Sequence, residues 1–312
     1  MAAIQEAEKQ TSGEIQVHIE SRCKGSVLDR AAAVFETLKM YQTKDRNGVL
    51  IYLAAEDHKF AILGDAGINA VVVPMACEAP QFESLIKALL PLPNFKGALI
   101  TMPHKVTALA LADTTSPVAS VAGACNALKR GTNGELIADM FDGAGFVLGL
   151  KGKQFDPMGK RALVVGSGGV GSAIAASLAD AGVAEVGVFD VNTAAATALA
   201  QRLRTHYPLL RAASTSPDPS GYDLVVNATP LGMKTGDPLP FDTDKLAPHT
   251  FVGEVVMSQA ETPLLAAARA KGCPVQLGVD MLFEQIPAYL EFFGFPTTSA
   301  ANLRALAQIK YN

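Results

Sequence analysis

Strict alternation of apolar and polar residues over 14–21 (EIQVHIES) predicts a strand with one buried face. Residues 2–10 before it have helical character, which Thr11, Ser12 and Gly13 stop. Ala32, Phe35, Leu38 and Lys39 stand at helical spacing within residues 29–40. A turn at 44–48 (KDRNG) leads into a buried strand over 48–54 (GVLIYLA). The polar residues 56–59 then form a hairpin turn into a further strand, 60–64 (FAILG).

From residue 67 the rhythm becomes strand, helix, strand. Residues 69–75 (NAVVVPM) predict a strand, 80–89 a helix and 97–101 (GALIT) another strand. Pro103 stands where its missing N–H suits the first turn of a helix. Residues 123–130 and 135–141 flank Thr132, Asn133 and Gly134, an Asn-Gly hairpin signal, and a helix begins at Asp142. Residues 153–159 are polar with a proline and read as a hinge or linker. Residues 161–190 then run strand, glycine turn, helix, strand. Short strands follow within 223–233, 250–256 and 274–279, with helices between them. Residues 281–294 and 302–309 close the chain as helices. This alternation predicts an α/β architecture with largely parallel sheets.

The composition narrows the function. With 49% apolar and 18% charged residues, the 312-residue chain has ample core material and is not a disordered one. A net charge of -4 without a Lys/Arg run gives no footprint for nucleic acid and favours a small-molecule ligand. Cys23, Cys77, Cys125 and Cys273 lie too far apart for a zinc or redox motif, so no metal is expected. The polar N-terminus lacks the order of a signal peptide, and the apolar runs are too short to span a bilayer. A cytoplasmic protein without membrane attachment is the expectation.

Gly166-Ser167-Gly168-Gly169-Val170-Gly171 matches G-x-G-x-x-G after a strand and at a helix start, which is the context the motif needs. The first glycine permits the tight turn, the second admits a pyrophosphate, and the third lets the helix pack closely. The helix N-terminus offers free N–H groups and partial positive charge to phosphate. Asp190 ends the next strand at the distance of a ribose-binding carboxylate, which repels a 2′-phosphate. Val191, Asn192 and Thr193 bring no arginine to offset it, so NAD is expected in preference to NADP. An ordinary βαβ turn without a cofactor is the alternative reading of the same segment.

An ordered set of motifs carries a more specific reading: FKGALITMPHK, GACNAL and ADMFDGAGF, then VVNATPLGM, ETPLLAAARAKG and GVDMLFEQ. Together, over roughly residues 67–300, they closely resemble the shikimate dehydrogenase family. The resemblance implies a substrate-binding α/β domain (67–142 and 282–312) facing an NAD(P)-binding Rossmann domain (143–281), as a monomer or homodimer. It implies a ring-acid substrate such as shikimate or quinate. By position, Lys105 and Asp142 match the catalytic pair, and Thr101, Asn126 and Gln285 the substrate-binding residues. Asn227, Thr229 and Met233 match the loop bordering the nicotinamide. A lysine beside a carboxylate suits the proton transfer that accompanies hydride removal from an alcohol. Outside this motif Lys105 would read as a solvated surface lysine, and Asp142 equally suits a helix N-terminus. His104 reads as a residue that orients the loop.

Two departures stand out. Met140 and Phe141 replace the Asn and Thr that precede the aspartate in the family. The family's Ser-x-Ser loop, which holds the substrate carboxylate, has no counterpart before residue 67; residues 60–65 (FAILGD) can stand in for the family's opening strand, with the helix after it absent. In their place AEKQTSGEIQVHIESRC, TKDRNGVLIYLA and HKFAILGDAGI resemble the TPM family, making residues 1–66 a small TPM-like α/β segment. His18, Asp45, His58 and Asp65 in that segment leave a metal or phosphatase role open, but four scattered residues make no site, and they read as solvated or structural residues. A cofactor-binding protein with impaired turnover is therefore the alternative to an active dehydrogenase.

Overall fold

The computed structural model describes residues 14–57, 59–66 and 70–307, without the side chains of 59, 60 and 306. The expected helix at 2–10, His58 and the end of the expected helix at 302–309 lie outside the described residues. The chain divides into two compact units, 1–76 and 77–312. No described helix is long and apolar enough to cross a membrane.

The first unit is a three-stranded sheet, β1 (Ile15–Glu20), β2 (Val49–Ala54) and β3 (Lys59–Gly64), in the order β1-β2-β3. β1 runs parallel to β2, and β3 antiparallel to it as the hairpin requires. The helix Val27–Thr37 starts on a Ser26 cap that accepts from the N–H of Asp29, and it lays Ala31 and Val34 over Leu50, Tyr52 and Ala54. The Arg30 guanidinium, the Tyr52 hydroxyl and His18 all bond Glu20 and hold its carboxyl down to about 2. Asp65 is likewise held by Arg46, at 2.7 Å.

Over its described residues, 70–75, the strand expected at 69–75 does not form. Residues 70–78 carry no regular structure, and Val72 is 77% exposed. An apolar run is not enough for a strand, because the backbone donors and acceptors need a ladder partner, and no described strand pairs with this run.

The second unit holds two sheets. The smaller has the order β4-β6-β7-β5, from β4 (Gly97–Leu99), β5 (Thr114–Thr115), β6 (Ala127–Arg130) and β7 (Leu136–Asp139). β6 and β7 form the hairpin that the Asn-Gly signal predicts, with Gly134 at φ +90°. The helix expected at Pro103 begins two residues later, as Lys105–Ala110. The larger sheet is fully parallel with the order β10-β9-β8-β11-β12-β13. Its strands are β8 (Arg161–Val165), β9 (Glu185–Phe189), β10 (Arg211–Ser214), β11 (Leu224–Asn227), β12 (Phe251–Glu254) and β13 (Val275–Gln276). The order reverses direction between β8 and β11, and the crevice beyond their C-terminal ends is where a doubly wound sheet takes its ligand.

The helix Asp142–Gly152 joins the two sheets by lying against two other helices at backbone range. A Cβ on Gly143 would stand 2.1 Å from the Ala173 carbonyl oxygen of the helix Gly169–Asp180. One on Gly145 would stand 2.7 Å from the Met281 carbonyl oxygen of the helix Gly278–Phe293. Gly152, at the end of the same helix, has open space around it. Gly143→Ala should therefore lose about 1–3 kcal/mol by overpacking. Gly152→Ala should be neutral or gain up to about 1 kcal/mol of helix propensity. Urea unfolding of the two variants checks this; equal midpoints would remove the seam as a packing constraint.

Candidate active site

Helix starts and strand ends set the site. Lys105 opens its helix, and Asp142 opens the helix that follows β7. The Lys105 ammonium donates to Asp142 Oδ2, and Asn126 Nδ2 donates to Asp142 Oδ1 at 2.8 Å. Asn126 Oδ1 in turn accepts the Phe141 N–H at 3.0 Å. All three side chains are buried: Lys105 is 9%, Asn126 1% and Asp142 3% exposed. Burial of a charged pair is tolerable only where each charge has hydrogen-bonding partners, and here the carboxylate receives one on each oxygen.

Gln285 is buried on the helix Gly278–Phe293, which the Gly145 contact brings across Asp142's own helix. The Tyr289 hydroxyl donates to Gln285 Oε1 at 3.4 Å. Burial raises the Tyr289 phenol, and the Asp142 charge adds to the effect. Phe141 packs edge-on against Tyr289 and Phe292, with centroids 5.2 and 5.4 Å away, so an aromatic wall stands beside the acid. Thr101 is exposed, one turn before Lys105. His104 stacks on Phe82 at 4.4 Å and bonds the Cys77 carbonyl at 2.8 Å.

The glycine loop adjoins this cluster. A Cβ on Gly169 would stand 3.2 Å from Lys105 Cδ, so the lysine stem lies against the first residue of the helix Gly169–Asp180. Gly166 takes φ +105°, and a Cβ there would meet the Ala228 carbonyl at 2.8 Å. The loop after β11 thus rests on the glycine turn. A Cβ on Gly168, at the helix N-cap, would enter open space, which is the clearance a pyrophosphate requires. Gly171 crosses within 1.9 Å, for an added Cβ, of the Gly166 carbonyl oxygen, so close packing there needs glycine. These residues fit a dinucleotide. Val170 is half-buried in the same turn of helix.

Asp190 is half-buried and accepts from Ser167 N at 2.6 Å, Ser167 Oγ at 2.8 Å and Asn192 N at 2.8 Å. Burial pushes its carboxyl up, and these three donors outweigh that and hold it below the usual range. Val191 beside it is 94% exposed. Asn227 is fully buried, with Oδ1 accepting from Thr229 N and Oγ1. Met233 is 46% exposed at the far end of that loop.

Sequence reasoning passed over Glu254. It ends β12, is fully buried, and accepts from Asn227 Nδ2, Thr262 Oγ1 and two backbone N–H groups. Its one sequence signal is an acid inside the otherwise apolar run 250–256 (TFVGEVV).

Taken together, a fully parallel doubly wound sheet with a phosphate-ready glycine turn, set beside a buried Lys–Asp pair, defines a nucleotide-dependent α/β oxidoreductase. The chain is 37% identical over 244 residues to a shikimate dehydrogenase (NADP(+)) of Acidiphilium cryptum, covering 77% of this chain and 86% of that protein. It belongs to the shikimate dehydrogenase family. The family model for the shikimate dehydrogenase substrate binding domain matches residues 58–128, and that for the TPM domain matches residues 1–89. Among solved structures, a quinate dehydrogenase from Corynebacterium glutamicum in complex with NAD is 27% identical with a TM-score of 0.66, over 94% of this chain and 98% of that one. Shikimate 5-dehydrogenase from Listeria monocytogenes, in complex with shikimate and NAD, shares the fold with a TM-score of 0.67 at 22% identity, over 94% and 96% of the two chains.

Cys125, buried beside this cluster, is pushed up to about 12 by burial. A thiol reacts through its thiolate, so Cys125 should resist alkylation in the native chain at pH 8. Cys77, half-buried, should be modified first. Mass spectrometry of iodoacetamide-treated protein checks the order; prompt labelling of Cys125 would contradict the burial described.

Proposed function

We propose that the chain reversibly oxidises a hydroxylated ring acid, shikimate, quinate or a close analogue, to the corresponding ketone. The observation that carries this reading is the convergence of Lys105 and Asn126 on the Asp142 carboxylate, with the lysine stem against Gly169. A nicotinamide dinucleotide would supply hydride exchange; Gly166, Ser167, Gly168, Gly169, Val170 and Gly171 would hold its phosphates, and the loop of Asn227, Thr229 and Met233 would border its far end. In reduction the Lys105 ammonium gives a proton to the carbonyl oxygen and is reprotonated from solvent; in oxidation the same nitrogen, having first passed a proton to solvent, takes the hydroxyl proton as the free amine. Asp142 fixes the direction of Nζ and accepts from a substrate hydroxyl. Asn126 holds Asp142 in turn, while Thr101 and Gln285 supply further hydrogen bonds to the ring.

NAD is the preferred cofactor in this reading. Asp190 brings a carboxylate to the adenosine ribose, and no arginine stands at 191–193. The Acidiphilium and Rubrobacter relatives both carry NADP(+) in their names, so this preference rests on Asp190 and residues 191–193 alone and runs against the relatives. Replacing Asp190 with Ser together with Val191→Arg should move preference toward NADP. Equal or tighter binding of NADP by the unchanged protein would defeat it.

Lys105→Ala and Asp142→Asn should each lower turnover by about 10²- to 10⁴-fold while leaving dinucleotide binding nearly intact. Absorbance at 340 nm with shikimate and quinate measures the first quantity and calorimetry the second. A variant keeping more than about half of the activity would leave the mechanism without that residue.

Phe141 and its aromatic wall favour a second reading, a cofactor-binding protein with impaired turnover. The family's Thr at that position and its Ser-x-Ser loop supply hydroxyls to the substrate. Losing two hydrogen bonds to a carboxylate weakens binding by at least about 10²-fold. Tight NAD binding with undetectable shikimate binding in calorimetry supports this reading, whereas ordinary micromolar shikimate binding refutes it.

A further inference from the structure

Glu254 and Asn227 are paired in register as the last residues of the neighbouring parallel strands β12 and β11. Both are 0% exposed. Two polar side chains therefore sit in the apolar floor of the sheet, at the strand ends that line the ligand crevice. A buried carboxylate without full hydrogen bonding is strongly destabilising, so its partners define what it is there to hold.

Those partners belong to two loops. Glu254 Oε1 accepts from the N–H groups of Val255 at 2.8 Å and Val256 at 3.0 Å, and Asn227 Nδ2 reaches both oxygens, at 3.0 and 3.2 Å. Thr262 Oγ1 donates to Oε2 at 3.0 Å and accepts from Leu265 N, capping the helix Pro263–Ala270. None of these donors is a cation. Burial raises the carboxyl, and the converging donors oppose that.

The network continues into the loop after β11. Asn227 Nδ2 also donates to the Leu231 carbonyl, and Asn227 Oδ1 accepts from the backbone and hydroxyl of Thr229. Leu231 N closes the turn on Thr229 Oγ1. The backbone of Ala228 and Thr229 presses on Gly166 of the phosphate turn. Glu254 fixes the amide orientation of Asn227: with Nδ2 held toward the carboxylate, Oδ1 has to face Thr229.

We propose that Glu254 is a positioning residue, which sets the loop 227–233 against the nicotinamide half of the dinucleotide without touching the cofactor. The inference rests on the dehydrogenase reading above. It separates the two halves of the cofactor, because Asp190 and the glycine turn, which would take the adenosine and phosphate side, are tied to each other through Ser167 and not through Glu254.

Glu254→Gln keeps the shape but turns one acceptor into a donor that faces donors. Calorimetry with the dinucleotide that the intact chain binds more tightly should show about five- to tenfold weaker binding. The matching fragment without nicotinamide, ADP-ribose or its 2′-phosphate, should bind within about twofold of the intact chain. Asn227→Asp alone sets two carboxylates against each other and should weaken dinucleotide binding at least as much. Combining Asn227→Asp with Glu254→Gln restores a donor–acceptor pair and should recover at least half of the lost affinity. The proposal is overturned if Glu254→Gln binds the dinucleotide as the intact chain does. It is also overturned if both ligands are lost in equal measure, or if the double variant recovers nothing. An intact chain that binds neither ligand overturns the dehydrogenase reading, and this inference with it.

Discussion

The site depends on how closely the helix Asp142–Gly152 approaches its neighbours. Gly143 and Gly145 face opposite partners, and each allows backbone atoms to come nearer than any side chain would permit. One contact fixes the helix to the first helix of the parallel sheet, which carries the glycine turn at its start. The other brings the helix Gly278–Phe293 across it and delivers Gln285 to the neighbourhood of Asp142. Since Asp142 is the first residue of the seamed helix, its carboxylate inherits its place from backbone packing rather than from loop conformation. Interiors this dense do not deform smoothly, so the acid, the amide and the phosphate turn keep one mutual geometry.

Within that frame the Lys105–Asp142 pair is costly to bury and costly to misplace. Desolvation of two ions is offset only if their geometry holds and the remaining lone pairs are used. Asn126 meets this condition twice over. It donates to the second carboxylate oxygen and takes the Phe141 N–H, tying the acid to the backbone of its own helix start. The same logic recurs at Glu254, where a carboxylate without a cation is surrounded by donors. Both buried acids end or follow a strand, and both organise an amide side chain beside them. On the proposed reading, one amide belongs to the substrate side and the other orders a loop of the nucleotide side.

Much of this was legible in the sequence because the signals are local. The strand–glycine turn–helix unit over 161–190 declares itself through glycine spacing and an apolar strand, and the structure places β8, the turn and the helix Gly169–Asp180 there. The Asn-Gly hairpin of β6 and β7 is equally local. Residues 69–75 misled because hydrophobicity reports burial preference but says nothing of a ladder partner, and the exposed Val72 has none among the described strands. Pro103 misled by two residues: the rule for helix openings fits the residue type, whereas the helix follows Lys105, whose side chain is tied to Asp142. Glu254 stayed hidden because a lone acid in an apolar strand has no local signature, and its partners come from residues 227, 255, 256 and 262.

On the proposed reading, the charge of Asp190 decides cofactor choice more than its free lone pairs do. Ser167 and Asn192 already donate three hydrogen bonds to it, so the carboxylate is held rigidly and kept ionised. A ribose hydroxyl adds one more donor to such a group at little cost, since a carboxylate has about four acceptor sites. A 2′-phosphate brings two further negative charges to a fixed negative one. Specificity of this kind arises from the repelled ligand as much as from the accepted one. Val191, almost fully exposed, is the neighbouring position from which an arginine would reverse the sign of the local field. On the proposed reading, discrimination between the two dinucleotides turns on two adjacent residues at one strand end, apart from the Lys105–Asp142 pair.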